Sequence, residues 1–388
     1  MKEDMNEKDK KVSLDSPLSR RTFLKTSTVA AAALSLNPMG LLSRAGDVAG
    51  AAPSKSIVSV IKDTKSITDG FVIDGVRVRA MVDEGIKAIT GTGSIKEAWL
   101  KIFPDLKEKE VIGLKVNTIN KRIPAHPQVA LAIVDSMVDA GINKKNILIW
   151  DNLEKCLTDA GYKINTTDEG YRCYGTYHGL VGPNNRIKVQ PADPMDVYRQ
   201  CLDMDAKVYI KSENIERHHS KILSQQIDYL INVPVLKSAE FTGVTLSLKN
   251  MYGTINLSEQ ATFGIFQADM PSVVEKMHAH RADPQIAEVN FSEQLMKKTK
   301  LVVLDALMGI YEGSAHVDPQ GVNHKIIMST DRVAADFTGY NLINDRRKEK
   351  GLPAITTEHA GHIWSAEKMG IGNADPAKID VRSSVLQA

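Results

Sequence analysis

Two apolar runs of strand length, residues 110–116 (EVIGLKV) and 146–150 (NILIW), bracket a stretch at 129–140. Its apolar positions recur at helical spacing, and Gly141 closes it. Strand, helix and strand in that order fold as a right-handed crossover between parallel strands. Sheets of this kind take their ligands beyond the carboxyl ends of the strands. Those ends hold Asn117 and Asp151. Lys115, two residues before Asn117, projects from the same side of its strand.

Short strands and amphipathic helices alternate along the rest of the chain. Further strands are expected at 57–61, 206–211, 226–233, 300–306, 324–329 and 378–382, the last at a sheet edge. Helices are expected at 76–89, 95–103, 285–296, 331–344 and 358–369. Ser94 and Glu97 make a capping pair, Pro284 opens the helix at 285, and Thr330 or Asp331 caps the next one. Asp336, on the first turns of that helix, reaches either the core or solvent. Residues 163–205, polar and rich in Gly, Pro and Tyr, read as an irregular insertion able to cover a site, and 257–270 as a loop. The expected fold is α/β, a mostly parallel sheet flanked by helices, in one domain over residues 52–388.

Residues 231–256 (INVPVLKSAEFTGVTLSLKNMYGTIN) begin as a buried strand and end among small residues. Lys237 and Lys249 stand in this apolar setting beside Gly243 and Gly253, where backbone can approach a ligand closely. Asn250 follows Lys249. Asp305 falls at the end of the apolar run 300–306, Glu312 in the Gly-containing loop after it, and His126 before Pro127 in the connection leaving Asn117. Lys237, Lys249, Asp151, Asp305 and Glu312 form a candidate catalytic set, and Lys115, Asn117, Asn250 and His126 a candidate substrate-binding set. Lysines hold phosphate or carboxylate as point charges. Carboxylates beside them act as acid/base groups or bind a divalent cation of the Mg²⁺ type. A desolvated lysine serves as base or amine nucleophile. The competing reading is that these charges pair with one another and staple the strand ends.

Other motifs carry less. His278-x-His280 and His359-x-x-His362 can bring two rings to Zn, Ni, Cu or Fe if a third ligand arrives, yet packed or surface histidines explain the same spacing. His218-His219 falls in an expected loop. Tyr162, Tyr171, Tyr174 and Tyr177 either line a ligand mouth or pack the insertion. Gly91-Thr92-Gly93 lacks the third glycine of a dinucleotide fingerprint, and no Walker loop or nucleophile elbow is present.

The start of the chain is an address. Ser19-Arg20-Arg21-Thr22-Phe23-Leu24-Lys25, an Ala-rich run at 26–36 and Ala49-Gly50-Ala51 compose a twin-arginine signal cleaved before Ala52. The apolar run is far shorter than the ~20 residues of a membrane span, so an integral membrane protein is not expected. The translocation machinery is an expected partner and the destination periplasmic or extracellular. Residues 1–51 hold eight basic and six acidic side chains; the remainder, with 41 of each, is neutral, so nucleic acid is not an expected partner. Cys156, Cys173 and Cys201 fit neither zinc nor iron–sulfur spacing, leaving one disulfide and a thiol, or three buried or idle thiols.

In their order, VIGLKVN with Lys115 and Asn117, HPQVALAIVDSMVDAG, ILIWD with Asp151, INVPVLKSAEFTGVTLSLKNMYG, LVVLDALMGIYEG and IIMSTDRVAADFTGYNL resemble domain of unknown function 362. The resemblance runs from about residue 110 to 372, with GVTLSLKN its most specific segment. That family usually places a histidine soon after the lysine equivalent to Lys237; here Lys237-Ser238-Ala239-Glu240 loses it or substitutes Glu240. Some relatives carry a ferredoxin-like cysteine segment, absent here, so no iron–sulfur cluster is expected. The resemblance implies fold and site positions rather than a reaction. The resulting expectation is an exported enzyme acting on a small anionic substrate, with or without a divalent metal. Its alternatives are a non-catalytic binding protein for a metabolite or cofactor, and a redox accessory protein.

Overall fold

The computed structural model describes residues 55–179, 199–255 and 270–386. The export signal, residues 180–198 of the expected insertion and all but the last residue of the expected loop 257–270 lie outside them. β1 (Ser56–Lys62) leads to α1 (Gly75–Thr90), where the Asp74 carboxylate accepts the Val76 and Arg77 amides and Gly91 closes the helix in the left-handed region. α2 (Ile95–Ile102) starts on Ser94, whose hydroxyl accepts the Glu97 amide. The crossover forms as expected from β2 (Ile112–Val116), α3 (Pro127–Asp139) and β3 (Ile147–Asp151), extended by α4 (Glu154–Asp159) and β4 (Arg172–Gly175). β5 (Leu202–Ile210) and β6 (Ile215–Ser220) make a separate antiparallel hairpin.

β7 (Tyr229–Val233) and β8 (Val235–Ala239) are one run interrupted at Pro234, followed by β9 (Gly243–Val244) and a single helical turn, α5 (Leu246–Asn250). After α6 (Met270–His278), the helix expected at 285–296 divides into α7 (Gln285–Asn290) and α8 (Glu293–Lys298). β10 (Thr299–Ile310) contains Asp305 as expected but continues past 306, because a bulge between Ala306 and Met308 lets it go on pairing with β11 (Gly321–Ser329). β10 also runs parallel to β7 in its first half and to β8 in its second, and the Asp305 amide donates to the Pro234 carbonyl at the junction. α9 (Arg332–Glu349) extends past 344, α10 (His362–Lys368) begins later than 358, and β12 (Ile379–Val385) is the edge strand.

The large sheet has the order β12-β1-β11-β10-β7-β2-β3-β4, with β8 and β9 branching from β10. It is parallel except at the two sides of β11 and at β8–β9. Alternation along the strands sends side chains to two cores. Ile112, Leu114, Val116, Ile147, Ile149, Val303 and Leu307 pack with α1, α2 and α3; Leu148, Trp150, Leu304 and Ala306 pack with α5, α7, α9 and α10. Helices therefore cover both faces, and the carboxyl ends of β2, β3 and β7 meet at one edge.

Asp331 does more than cap α9. It accepts the Val333 and Ala334 amides, the Ser56 hydroxyl at 2.6 Å and the Asn373 amide at 2.9 Å, joining both ends of the chain's folded part. Asp331→Ala is expected to lower unfolding free energy by about 2 kcal/mol or more, the upper end for losing a helix cap. Urea denaturation followed by circular dichroism measures it.

Candidate functional site

Lys115 alternates with Leu114 and Val116, so it turns away from their core toward the face covered by α5. It is 1% exposed. Its ammonium donates to Asp151 Oδ1 at 2.6 Å, to the Val116 carbonyl at 2.8 Å and to Asn250 Oδ1 at 3.4 Å. Asp151 Oδ1 also accepts the Asn152 amide at 2.7 Å, and Oδ2 accepts the amide and hydroxyl of Thr118 at 2.7 and 2.6 Å. The four acceptor positions of this carboxylate are filled by interior donors. A Cβ on Gly253 would lie 2.9 Å from Lys115 Nζ, so only glycine allows the chain to cross so close to the pair.

An ordered series of amides continues from the pair. Lys237, 1% exposed, donates to Asn117 Oδ1 at 2.7 Å. Asn117 Nδ2 donates to Asn250 Oδ1 at 3.1 Å, Asn250 Nδ2 to Asn232 Oδ1 at 2.7 Å, and Asn232 Nδ2 to the Ser247 carbonyl at 2.9 Å. This directionality assigns each amide's orientation from its neighbours. Burial pulls Lys237 down to about 8, against the opposing pull of the Asp151 and Asp305 charges.

Lys249 is placed by α5, a turn too short to stand alone. Asp336 secures it, accepting the Ser247 and Leu248 amides at 2.7 and 2.9 Å, while Ser247 Oγ donates to the Arg332 carbonyl at 3.0 Å. Of the two options for Asp336, the core is realised, and burial pushes its carboxyl up to about 7. Lys249 Nζ lies 3.0 Å from His278 Nε2. His278 Nδ1 is 2.9 Å from the Val274 carbonyl and donates to it, which makes Nε2 the acceptor for the lysine. The Tyr252 ring centroid is 3.7 Å from Nζ, and the Tyr252 hydroxyl is tied to the Met277 carbonyl. Burial lowers Lys249 to about 7, and burial with the lysine charge lowers His278 to about 4. The ring face opposes part of this by favouring the charged amine.

These groups border one cleft of about 370 Å³. Lys115, Asn117, Asp151, Lys237, Lys249 and Asn250 all line it, together with Thr245, Tyr252, Gly253, His278, Ile119, Leu153, Cys156, Ala315 and His316. Three of the expected residues stand elsewhere. Asp305 is fully buried on the opposite face, where Oδ2 takes the His126 amide at 2.9 Å and His126 Nδ1 at 2.7 Å, and Oδ1 takes the Leu307 amide. Glu312 is exposed beyond the end of β10, where its backbone pairs with the Gln320 side chain, because the strand continues past the point at which a loop was expected. Sequence reasoning did not single out Asn232, Thr118 or Tyr252; Asn232, a lone amide between Ile231 and Val233, carries the same signal that marked Lys115.

The remaining candidates scatter. His280 is exposed with a φ of 50°, so it is not beside His278 on a helix face. His359 bonds the Glu240 carbonyl, whereas His362 is fully buried with neither ring nitrogen bonded among the described residues. His219 packs between Thr254 and Ser292, and the Tyr162 hydroxyl donates to the Ala125 carbonyl. No disulfide joins Cys156, Cys173 and Cys201; burial pushes the Cys156 thiol up to about 11. Among the described residues no group of three or more His, Cys, Asp or Glu is arranged to hold a metal, and no helix is long and apolar enough to cross a membrane.

Comparison with known proteins adds the following. A family model described as a domain of unknown function (DUF362) matches residues 112–341, from the first residue of β2 into α9. A model of the twin-arginine translocation signal sequence matches residues 17–36, and the chain is exported by that route. No curated protein matches. A crystal structure of a Thermotoga maritima protein from the Northeast Structural Genomics Consortium is 16% identical, with a TM-score of 0.37. The match covers 65% of this chain and 58% of that one, little more than half its length.

The His126–Asp305 pair makes stability depend on pH. Burial alone would lower His126, but the charge and hydrogen bond of Asp305 outweigh it and hold the imidazole above its ordinary 6.5. A folded value above the unfolded one means that the contribution is full below about 6.5 and is lost as pH rises through the folded value. His126→Phe, which strands the buried carboxylate, is expected to cost about 3–5 kcal/mol below that pH. The gap to the parent protein narrows above it. Denaturant midpoints across pH for both proteins check this.

Proposed function

The chain belongs to the DUF362 family, and from that premise we propose that this exported member binds a small organic anion in the cleft at the carboxyl ends of β2, β3 and β7. One observation carries the reading. Lys237 and Lys249 border the cleft and, among the described residues, neither contacts a carboxylate. Lys237 is buried and Lys249 half-buried, and lysines withdrawn from water are normally paired, since an uncompensated ammonium there is costly. Lys115 meets that need with Asp151 and stays part of the floor. Lys237 and Lys249 are left to donate to a ligand, and charged hydrogen bonds to a carboxylate or phosphate are the strong ones.

On this reading the carboxylates of the expected catalytic set have a supporting role. Asp151 has no acceptor position to spare, and Asp305 is committed to His126 on the other face. The chemistry of the site then rests on its lysines rather than on a carboxylate-held cation. Apolar Ile119, Leu153 and Ala315 in the lining of the cleft suit an acid with a hydrocarbon body.

A thermal-shift screen of isocaproate, benzoate and phosphate against the full exported protein tests the proposal. A saturating anion at 100-fold its Kd is expected to stabilise by about 2.7 kcal/mol. Lys237→Met is expected to weaken binding roughly tenfold to a hundredfold, the worth of one charged hydrogen bond of about 1.5–3 kcal/mol. Affinity is expected to fall as pH rises through about 8, because the Lys237 amine must be protonated to attract the ligand. Equal, weak responses to all anions in the parent and in Lys237→Met would overturn the reading.

A further inference from the structure

Three lysines share one cleft in three different settings. Lys115 is locked in an ion pair. Lys237 sits within the fields of Asp151 and Asp305 and bonds a single amide oxygen. Among the described residues, Lys249 has only neutral company: the acceptor nitrogen of His278 and the face of Tyr252. Its position is also fixed more firmly than recognition by a mobile point charge requires. Asp336 and Ser247 hold the turn that carries it, and the Val274 carbonyl fixes the tautomer of the ring it donates to. A lysine held rigidly, stripped of counter-charge and opening on a cleft is built for its lone pair rather than for its charge.

Resting on the anion-binding reading above, we propose that Lys249 forms an imine with the carbonyl of an α-oxo acid whose carboxylate is held by Lys237. The Lys249 nitrogen lone pair attacks the carbonyl carbon, and the new C–N bond gives a carbinolamine. The C–O bond then breaks, the oxygen leaves as water carrying the two hydrogens of the amine, and a C=N bond remains. No oxidant or further reactant is required. His278 Nε2, 3.0 Å from the amine, accepts one N–H and so orients it away from the incoming carbon. The two lysines divide the work by pH: between about 7 and about 8 Lys249 is largely an uncharged nucleophile while Lys237 still carries its proton. The apolar lining residues Ile119, Leu153 and Ala315 favour an oxo acid with an aliphatic chain.

The test is borohydride trapping on the full exported protein with α-ketoisocaproate, followed by intact mass and peptide mapping, beside a thermal shift with isocaproate, which has the same carboxylate and chain but no carbonyl. The expected result is one reduced adduct per chain, mapped to Lys249, lost in Lys249→Arg and increasing as pH rises through about 7. If Lys249→Arg does not fold, the map of the parent protein decides alone. Stabilisation by both acids without an adduct would overturn the imine and leave the anion site standing. No stabilisation and no adduct would overturn both. Labelling spread over surface lysines and unchanged in Lys249→Arg would also overturn the imine.

Discussion

A lysine and a carboxylate buried together at the ends of two adjacent parallel strands set the terms for what surrounds them. Removing one partner from such a pair typically costs about 3–5 kcal/mol, because the other is left charged and unsolvated. Lys115 and Asp151 avoid that penalty only while every remaining donor and acceptor is met. Thr118 must turn back onto Asp151, Asn250 must come within reach of Lys115, and the chain at Gly253 must pass with no side chain. The conformation of two separate segments follows from that one requirement.

The second requirement comes from α5. Five residues of helix cannot hold themselves, and the Leu246 backbone that starts them lies at a φ of 49°. Asp336, 88 and 89 positions away along the chain, supplies the acceptors that the first turn lacks. The position of Lys249 thus depends on α9 docking against the sheet, and the site exists only once distant parts of the chain have come together.

Much of this was legible in the sequence for a simple reason. A lysine or amide inside an apolar run has to be explained, and Lys115, Lys237, Lys249 and Asn250 were conspicuous on that ground. Strand and helix periods located the sheet and most helices. What stayed hidden depends on contacts across the fold. The bulge after Ala306 carries β10 through Asp305 and past it, which places Glu312 outside the cleft and Asp305 on the reverse face. The break at Phe291 and Ser292 splits a helix whose apolar spacing reads as continuous. Asp336 sits on a helix whose pattern allows core or solvent, and its partners belong to another segment. The histidine pairs failed because spacing along the chain says nothing of the left-handed backbone at His280.

The run of amides from Lys237 to Ser247 has a polarity. At each step an N–H is given inward, and each carbonyl oxygen is already taken by the residue nearer the cleft. Asp151 is saturated in the same way. The floor therefore turns N–H groups toward a visitor, and the carboxylate in it is already occupied. On the proposed reading, an amine or ammonium ion seeking a carboxylate would find Asp151 already occupied, so the cleft's acceptors discriminate as well as its donors.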